Sequence, residues 1–248
     1  MIFDRRYAYR GFGHRPNGAW PNGRGLAVHI ALNVEHYWFG EGLSENLVPG
    51  VPQPDVFNTS WRDYGTRVGA WSLLDLFREL ELPATIFLNS SVCDACPDLV
   101  DRRVADGHEI AVHGRTNSES QVGLAMAAGR ELIVEARERI ETATGTRPVG
   151  WLGPWLAETE NTPDLLAETG FRYVLDYGAD DQPMWLTTPR GRLLALPYSQ
   201  EINDSVAIVG RQVGADSFAD MIVDQIEEMR RPAAERPRAF GLALHANI

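Results

Sequence analysis

The sequence predicts an α/β fold, an irregular (β/α) barrel with seven or eight parallel strands, on three observations. Short, nearly all-apolar runs recur between amphipathic stretches along the 248 residues, the pattern of strands buried on both faces alternating with covering helices. Their number suits a barrel. No Gly-x-Gly-x-x-Gly follows a strand, because Gly23-Arg24-Gly25 precedes one and lacks the third glycine; this counts against the competing open dinucleotide-binding sheet.

The elements follow in order. Residues 1–25, with repeated Gly and Pro over 10–25, read as an irregular segment packing on the domain. Residues 26–34, LAVHIALNV, form a buried strand. A long loop from about 36 to 60 carries Pro49, Pro52, Pro54, Gly40, Gly42 and Gly50, and a loop of that length in a compact domain marks function or disorder. Val68, Trp71, Leu74, Phe77 and Leu80 recur at helical spacing. Strands are expected at 84–88 and 108–114, with a short helix at 97–105 between them. A helix at about 127–143 ends before Gly145 and Pro148. A fourth strand at 148–152 precedes a helix at 162–169 that opens on Thr162-Pro163. Further strands are expected at 171–176, 192–197, 206–210 and 240–244, with an amphipathic helix at 216–230 before the last.

Composition narrows the class. Hydrophobic residues make up 44% and charged residues 23%, which excludes disorder, collagen and coiled coil. A net charge of −11 repels phosphate backbones and anionic lipid, so nucleic acid and membrane are rejected as partners. No apolar run approaches a membrane span, the first residues lack a secretory pattern, and two cysteines build no disulfide framework. The expectation is a cytoplasmic, acidic, single-domain protein spanning residues 1–248.

A parallel barrel carries its reactive groups where strands end, on the C-terminal face. Asn33, Glu35 and His36 follow the first strand, His113 and Asn117 the third, and the stretch from Trp151 to Trp155 the fourth. Asp180 and Asp181 follow the fifth, Tyr198 to Asp204 the sixth, and His245 the last. Each also has a plainer role open to it, such as capping, ion pairing or hydrogen bonding in the core. His29 lies inside a strand and His108 points opposite to His113, so both are expected to be structural. The stretch from His108 to His113 is one residue too long for a His-Glu-x-x-His zinc site, and it lies on a strand. Cys93 and Cys96 have redox spacing but read as a helix start, with a redox pair as the minor alternative. Neither a nucleophile elbow nor a phosphate-binding glycine loop is present.

Taken in order, these segments resemble the polysaccharide deacetylase family, and within it the branch of metal-independent allantoinases and cyclic-imide hydrolases. The resemblance rests on Trp20-Pro21-Asn22-Gly23 with ALNVEH at 31–36, HEIAVHG at 108–114, and the stretch from Asp180 through Asp181 to Trp185. Pro197-Tyr198 with Asn203-Asp204, and Leu242-Ala243-Leu244-His245, complete it. The resemblance implies a barrel of the polysaccharide deacetylase type and hydrolysis of a carbon–nitrogen bond. Metal-dependent members use an aspartate and two histidines four residues apart. Here Asn117 stands at the second histidine, and the aspartate falls on His36 or Glu35 according to a one-residue choice of alignment. The usual arginine before the family's aromatic motif is replaced by Gly150-Trp151-Leu152-Gly153-Pro154.

The expected function is opening of a small cyclic amide such as a hydantoin, ureide or imide. Glu35 is the expected general base, tuned upward by burial, His245 the acid, and His113 with His36 the carbonyl-polarising groups. Asp180 and Asp181 would bind ligand N–H groups, Trp155 and Trp185 would wall the pocket, and Asn117 and Asn203 would complete the substrate contacts. No cofactor is expected; the alternative is zinc or another divalent metal on Glu35, His36 and His113. Two other functions stay open: a metal-dependent N-deacetylase of a small sugar amide, and a non-catalytic binding protein on the same fold. The apolar outer face of the last strand needs cover, which residues 1–20 or a second subunit of a homo-oligomer would supply.

Overall fold

The first strand sets the frame. Leu26–Val34 (β1) pairs in parallel with Thr85–Leu88 (β2) on one side and with the last strand, Arg238–His245 (β8), on the other. We describe residues 6–15, 17–231 and 236–248 from a computed structural model. Beyond β2 the sheet continues through Glu109–Val112 (β3), Gly150–Trp151 (β4) and Tyr173–Val174 (β5), all parallel. Gly191–Ala195 (β7) pairs parallel with β5, and Met184–Thr188 (β6) closes the edge as an antiparallel hairpin with β7. The eight strands thus form one curled, mixed sheet, a half-barrel in the order β6-β7-β5-β4-β3-β2-β1-β8. Irregular backbone stitches its open side. Ala239 N–H donates to Asp181 O at 2.8 Å and Ala243 N–H to Ile202 O at 3.1 Å.

Period-two alternation decides what each strand shows to the two faces. On β1, Leu32 and Val34 face the outer core with Ile86, Leu88 and Val112. Ala31 faces inward with Phe87, Ala111 and Ala243. Following the inward series past the strand ends gives Ala31-Asn33-Glu35, Ala111-His113 and Ala243-His245. Small alanines inside each strand leave room for a polar cluster above them.

The helices on the outer face are Val56–Tyr64 (α1), Ala70–Glu79 (α2), Val92–Ala95 (α3), Pro97–Ala105 (α4), Met126–Thr144 (α5), Thr162–Thr169 (α6) and Ala215–Arg230 (α7). The loop expected to reach residue 60 ends earlier, because Asp55 accepts from Asn58 N–H at 2.9 Å and caps α1. A π-helical turn, Gly65–Gly69, joins α1 to α2. A methyl group on Gly69 would lie 1.7 Å from Ala246 O, so this turn is the seat of the chain's last residues.

Three sequence expectations are corrected. Ser205–Gly210 is a π-helical turn, not a strand. The Asn203 and Asp204 side chains accept from Ser205 N–H at 3.0 and 2.7 Å, turning the backbone before the apolar run can extend. The eighth strand is instead β6, at a place the sequence did not give it, running antiparallel beside the seven parallel strands expected. The outer face of β8 is covered from within the chain: Phe240 is fully buried with Ile202, Ala207, and Phe218 and Met229 of α7. Among the described residues, the early segment meets β8 at its start, where Trp20 Nε1 donates to Arg238 O at 2.7 Å. Residues 1–5 and 16 of that segment lie outside the described residues.

Candidate active site

Glu35 stands at the centre, delivered by the inward series of β1. Its Oε2 accepts from the Tyr37 hydroxyl. Its Oε1 accepts from the Asn117 amide and faces His113 Nε2 at 3.3 Å. The His113 ring is fixed from behind: Nδ1 donates to Leu152 O at 2.8 Å, so that nitrogen holds its hydrogen.

From the far side β8 brings His245, whose Nε2 lies 4.0 Å from Glu35 Oε1. Asp204 grips this residue twice, accepting from its backbone N–H at 2.7 Å and from Nδ1 at 2.6 Å. With Nδ1–H committed to Asp204, Nε2 faces the cavity. Asn33 sits between the two strands and donates to Tyr198 Oη at 3.1 Å and Leu244 O at 3.2 Å.

A cavity of about 250 Å³ opens over this cluster. Glu35, His113, His245, Asn33 and Asn203 line it, with Trp155 and Leu156 at one wall. The long loop after β1 forms another wall through Ser44 and Glu45, and Ser205 Oγ donates to Glu45 at 2.6 Å. Arg62 pins that loop, donating to Glu41 O at 3.1 Å and Asn46 Oδ1 at 2.9 Å. Trp155 and Leu156 both have positive φ, 57° and 51°, an arrangement that side chains disfavour. Strain of this kind collects at ligand-contacting turns.

The electrostatics separate the two titrating groups. Burial would raise the Glu35 carboxyl, but the His113 hydrogen bond, the charge of His245 and the Tyr37 hydroxyl hold it at about 2. Burial would lower His245, but the charge and hydrogen bond of Asp204, with Glu35 beyond, push it up to about 9. Glu35 is therefore depressed, where the sequence suggested a base tuned upward; the difference comes from His113, 78 residues away, from His245 on the last strand, and from Tyr37 two residues on.

Several expected site residues stand elsewhere. The His36 ring turns from the cavity, its Nδ1 on Ser91 Oγ at 2.9 Å. Asp180 is ion-paired with Arg15, and Asp181 pairs with Arg238 at 3.2 Å. Trp185 lies on the edge hairpin with the Arg192 guanidinium 4.8 Å above its ring. Three of these positions follow from β6, since the chain after β5 crosses to the sheet edge and carries residues 180–185 with it, while His36 is turned by its backbone bonds to Asn89 and Asn117. Sequence reasoning left out Tyr37 and Glu45, and it placed Tyr198 and Asp204 at a strand end without giving either a role. Asp204 adjoins a residue that was singled out, but nothing in the spacing ties it to a histidine 41 positions on.

A metal does not fit this donor set. Among the described residues no three His, Cys, Asp or Glu side chains come together to hold one. The set Glu35, His36 and His113 is broken by the His36 ring on Ser91, and Asn117 spends its amide on Glu35.

Comparison with known proteins agrees with this architecture. The family model described as polysaccharide deacetylase matches residues 59–174. A peptidoglycan deacetylase from Helicobacter pylori is 29% identical over 219 residues, covering 87% of this chain and 71% of that protein. The crystal structure of Puue allantoinase superposes with a TM-score of 0.79 at 28% identity, covering 94% of this chain and 82% of the other. A structure described as a probable polysaccharide deacetylase from Pseudomonas aeruginosa PAO1 gives a TM-score of 0.81 at 30% identity, covering 95% and 83%. The chain belongs to the polysaccharide deacetylase family, as a hydrolase of carbon–nitrogen bonds other than peptide bonds.

Proposed function

We propose that this chain opens a small cyclic amide, a hydantoin, ureide or imide, without a metal. The observation that carries the reading is the pair Glu35 and His245, 4.0 Å apart, with one carboxyl held ionised and one imidazole held protonated. Two groups driven apart in this way take the base and acid roles. The distance is too long for a hydrogen bond and short enough for both atoms to reach one tetrahedral carbon.

The steps follow from the atoms. A carboxylate has about four acceptor positions, and Tyr37, Asn117 and His113 fill three of Glu35's, leaving one for a water proton. Glu35 takes that proton as the water oxygen bonds to the carbonyl carbon. His113, whose Nε2 lies beside Glu35 Oε1, stands next to the carbonyl and orients it for attack. His245 Nε2 then gives its proton to the ring nitrogen as the carbon–nitrogen bond breaks. The products are a carboxyl group and a freed nitrogen on the opened chain.

The cavity supports a small ligand. At about 250 Å³ it falls below the roughly 300–1,000 Å³ of pockets for drug-sized molecules. Asn33 Oδ1 is buried with no partner, an acceptor suited to a ligand N–H. The Puue allantoinase, named for a ureide substrate, is similar over nearly the whole chain. Trp155 walls the substrate, and Asn203 and Asn117 contact or orient it.

The test is a hydrolysis screen of metal-stripped protein against hydantoins, ureides and imides, with N-acetyl sugars as the second arm. Turnover of a cyclic amide after exhaustive chelation is expected. Turnover confined to N-acetyl sugars and restored by zinc or cobalt overturns the reading.

A further inference from the structure

The half-buried carboxylate Asp176 lies outside the machinery described above, yet a single peptide unit joins it to His113. Both oxygens of Asp176 face Gly153 N–H, at 2.9 and 3.0 Å. The same peptide plane presents Leu152 C=O to His113 Nδ1–H at 2.8 Å. Donor and acceptor thus run in one line: His113 ring, Leu152 carbonyl, Gly153 amide, Asp176 carboxylate. An amide that donates to an anion becomes a stronger acceptor at its carbonyl, because hydrogen-bonded groups in series polarise one another.

The sequence builds this line deliberately. A methyl group on Gly153 would lie 2.7 Å from Asp176 Oδ1, so only glycine lets the carboxylate approach the amide. The φ of Gly153 is −67°, which any residue adopts, so close approach is the constraint rather than backbone freedom. Asp176 is next to β5, Gly153 to β4 and His113 to β3, three adjacent strands whose ends bring the line together.

We propose that Asp176 is a positioning residue for His113, acting through the Leu152–Gly153 peptide. It fixes which nitrogen of His113 keeps its hydrogen and strengthens the bond that aims the ring at Glu35. The claim rests on the reading of Glu35 and His113 as parts of one site.

The groups facing Asp176 are Glu158, Tyr177 and Tyr198, with His113 across the peptide and Arg6 beyond Glu158. Burial raises the Asp176 carboxyl to about 7, against the pull of the Gly153 amide and His113, with Glu158 hydrogen-bonded beside it. Burial and the Asp176 charge raise Glu158 as well, so the two carboxyls share one proton near neutrality. The line therefore strengthens as pH rises through about 7 and Asp176 becomes fully charged.

The experiment uses the full chain labelled with ¹⁵N-histidine, and the His113 Nδ1–H resonance is assigned by its loss in His113→Gln. Asp176→Asn keeps shape and removes charge; Gly153→Ala displaces the carboxylate and leaves its charge. In both variants the resonance is expected to move upfield, and its drift with pH near 7 to vanish. On the substrate found by the screen, kcat is expected to fall about 10-fold or more with KM within about twofold. An unmoved resonance in a folded Asp176→Asn protein, judged by an unchanged amide spectrum elsewhere, overturns the proposal. The resonance is read without substrate, so a failed hydrolysis screen would count against the function alone.

Discussion

Removing the charge behind His245 is the perturbation whose size follows most directly from the structure. Asp204 accepts two hydrogen bonds from His245, and asparagine has one acceptor oxygen with which to replace both. The rise of His245 from 6.5 to about 9 corresponds to about 3 kcal/mol, at 1.36 kcal/mol per pH unit. The side chain is only 12% exposed, so solvent screening removes little of this. A raised imidazole stabilises the fold fully below pH 6.5, and the contribution is lost as pH rises through 9. In Asp204→Asn most of it disappears, with Glu35 and Glu45 left as the remaining negative partners. The wild type should therefore lose roughly 3 kcal/mol of stability between pH 6.5 and 9, and the variant much less, in urea denaturation at stepped pH. The kcat/KM profile should fall on its basic side near pH 9 in the wild type and one or more pH units lower in the variant. Turnover at neutral pH should drop by about 10²–10⁴-fold, the usual worth of a general acid. A variant with an unmoved basic limb and turnover within a few-fold of wild type would refute this reasoning.

Further outcomes follow from the same geometry. Glu35→Gln should keep the fold and ligand affinity but lower turnover by about 10²–10⁴-fold, read by steady-state kinetics beside calorimetric binding. Exhaustive chelation should leave kcat/KM unchanged, since Asn117 and the turned His36 ring leave no third ligand; a loss restored by zinc or cobalt would count against the site as described. Gly150→Ala places a methyl group 2.1 Å from the Tyr173 ring and should cost about 1–3 kcal/mol, seen as a lowered denaturation midpoint.

Much of the fold was legible because strands buried on both faces read as apolar runs, and β1, β2, β3 and β8 stand close to where those runs fall. The inward series Ala31-Asn33-Glu35, Ala111-His113 and Ala243-His245 was legible for the same reason, since strand alternation carries through to the strand ends. The run at 206–210 misled because an apolar run of that length fits either a strand or a buried turn, and the caps on Asn203 and Asp204 decided it. β6 was missed although Thr187-Thr188 and the Pro189-Arg190-Gly191 turn offered a hairpin signal. Asp180, Asp181 and Trp185 went astray with it, because a sheet-edge hairpin moves every residue it carries away from the cavity. Asp204 gains meaning only from its contact with His245, 41 positions on, and Tyr37 from its hydrogen bond to Glu35 once that carboxylate is seen at the centre of the site. The depressed Glu35 carboxyl is equally a property of assembly, set by His113, His245 and Tyr37 together.

The central claim is that Glu35 and His245 alone supply base and acid for opening a cyclic amide. The most direct measurement compares kcat/KM of metal-stripped wild type with that of metal-stripped Glu35→Gln on the cyclic amide that the screen identifies. A wild type fully active without metal and a variant down by about 10² or more is the expected result. A wild type inactive until zinc is added, or a variant equal to it, would contradict the account.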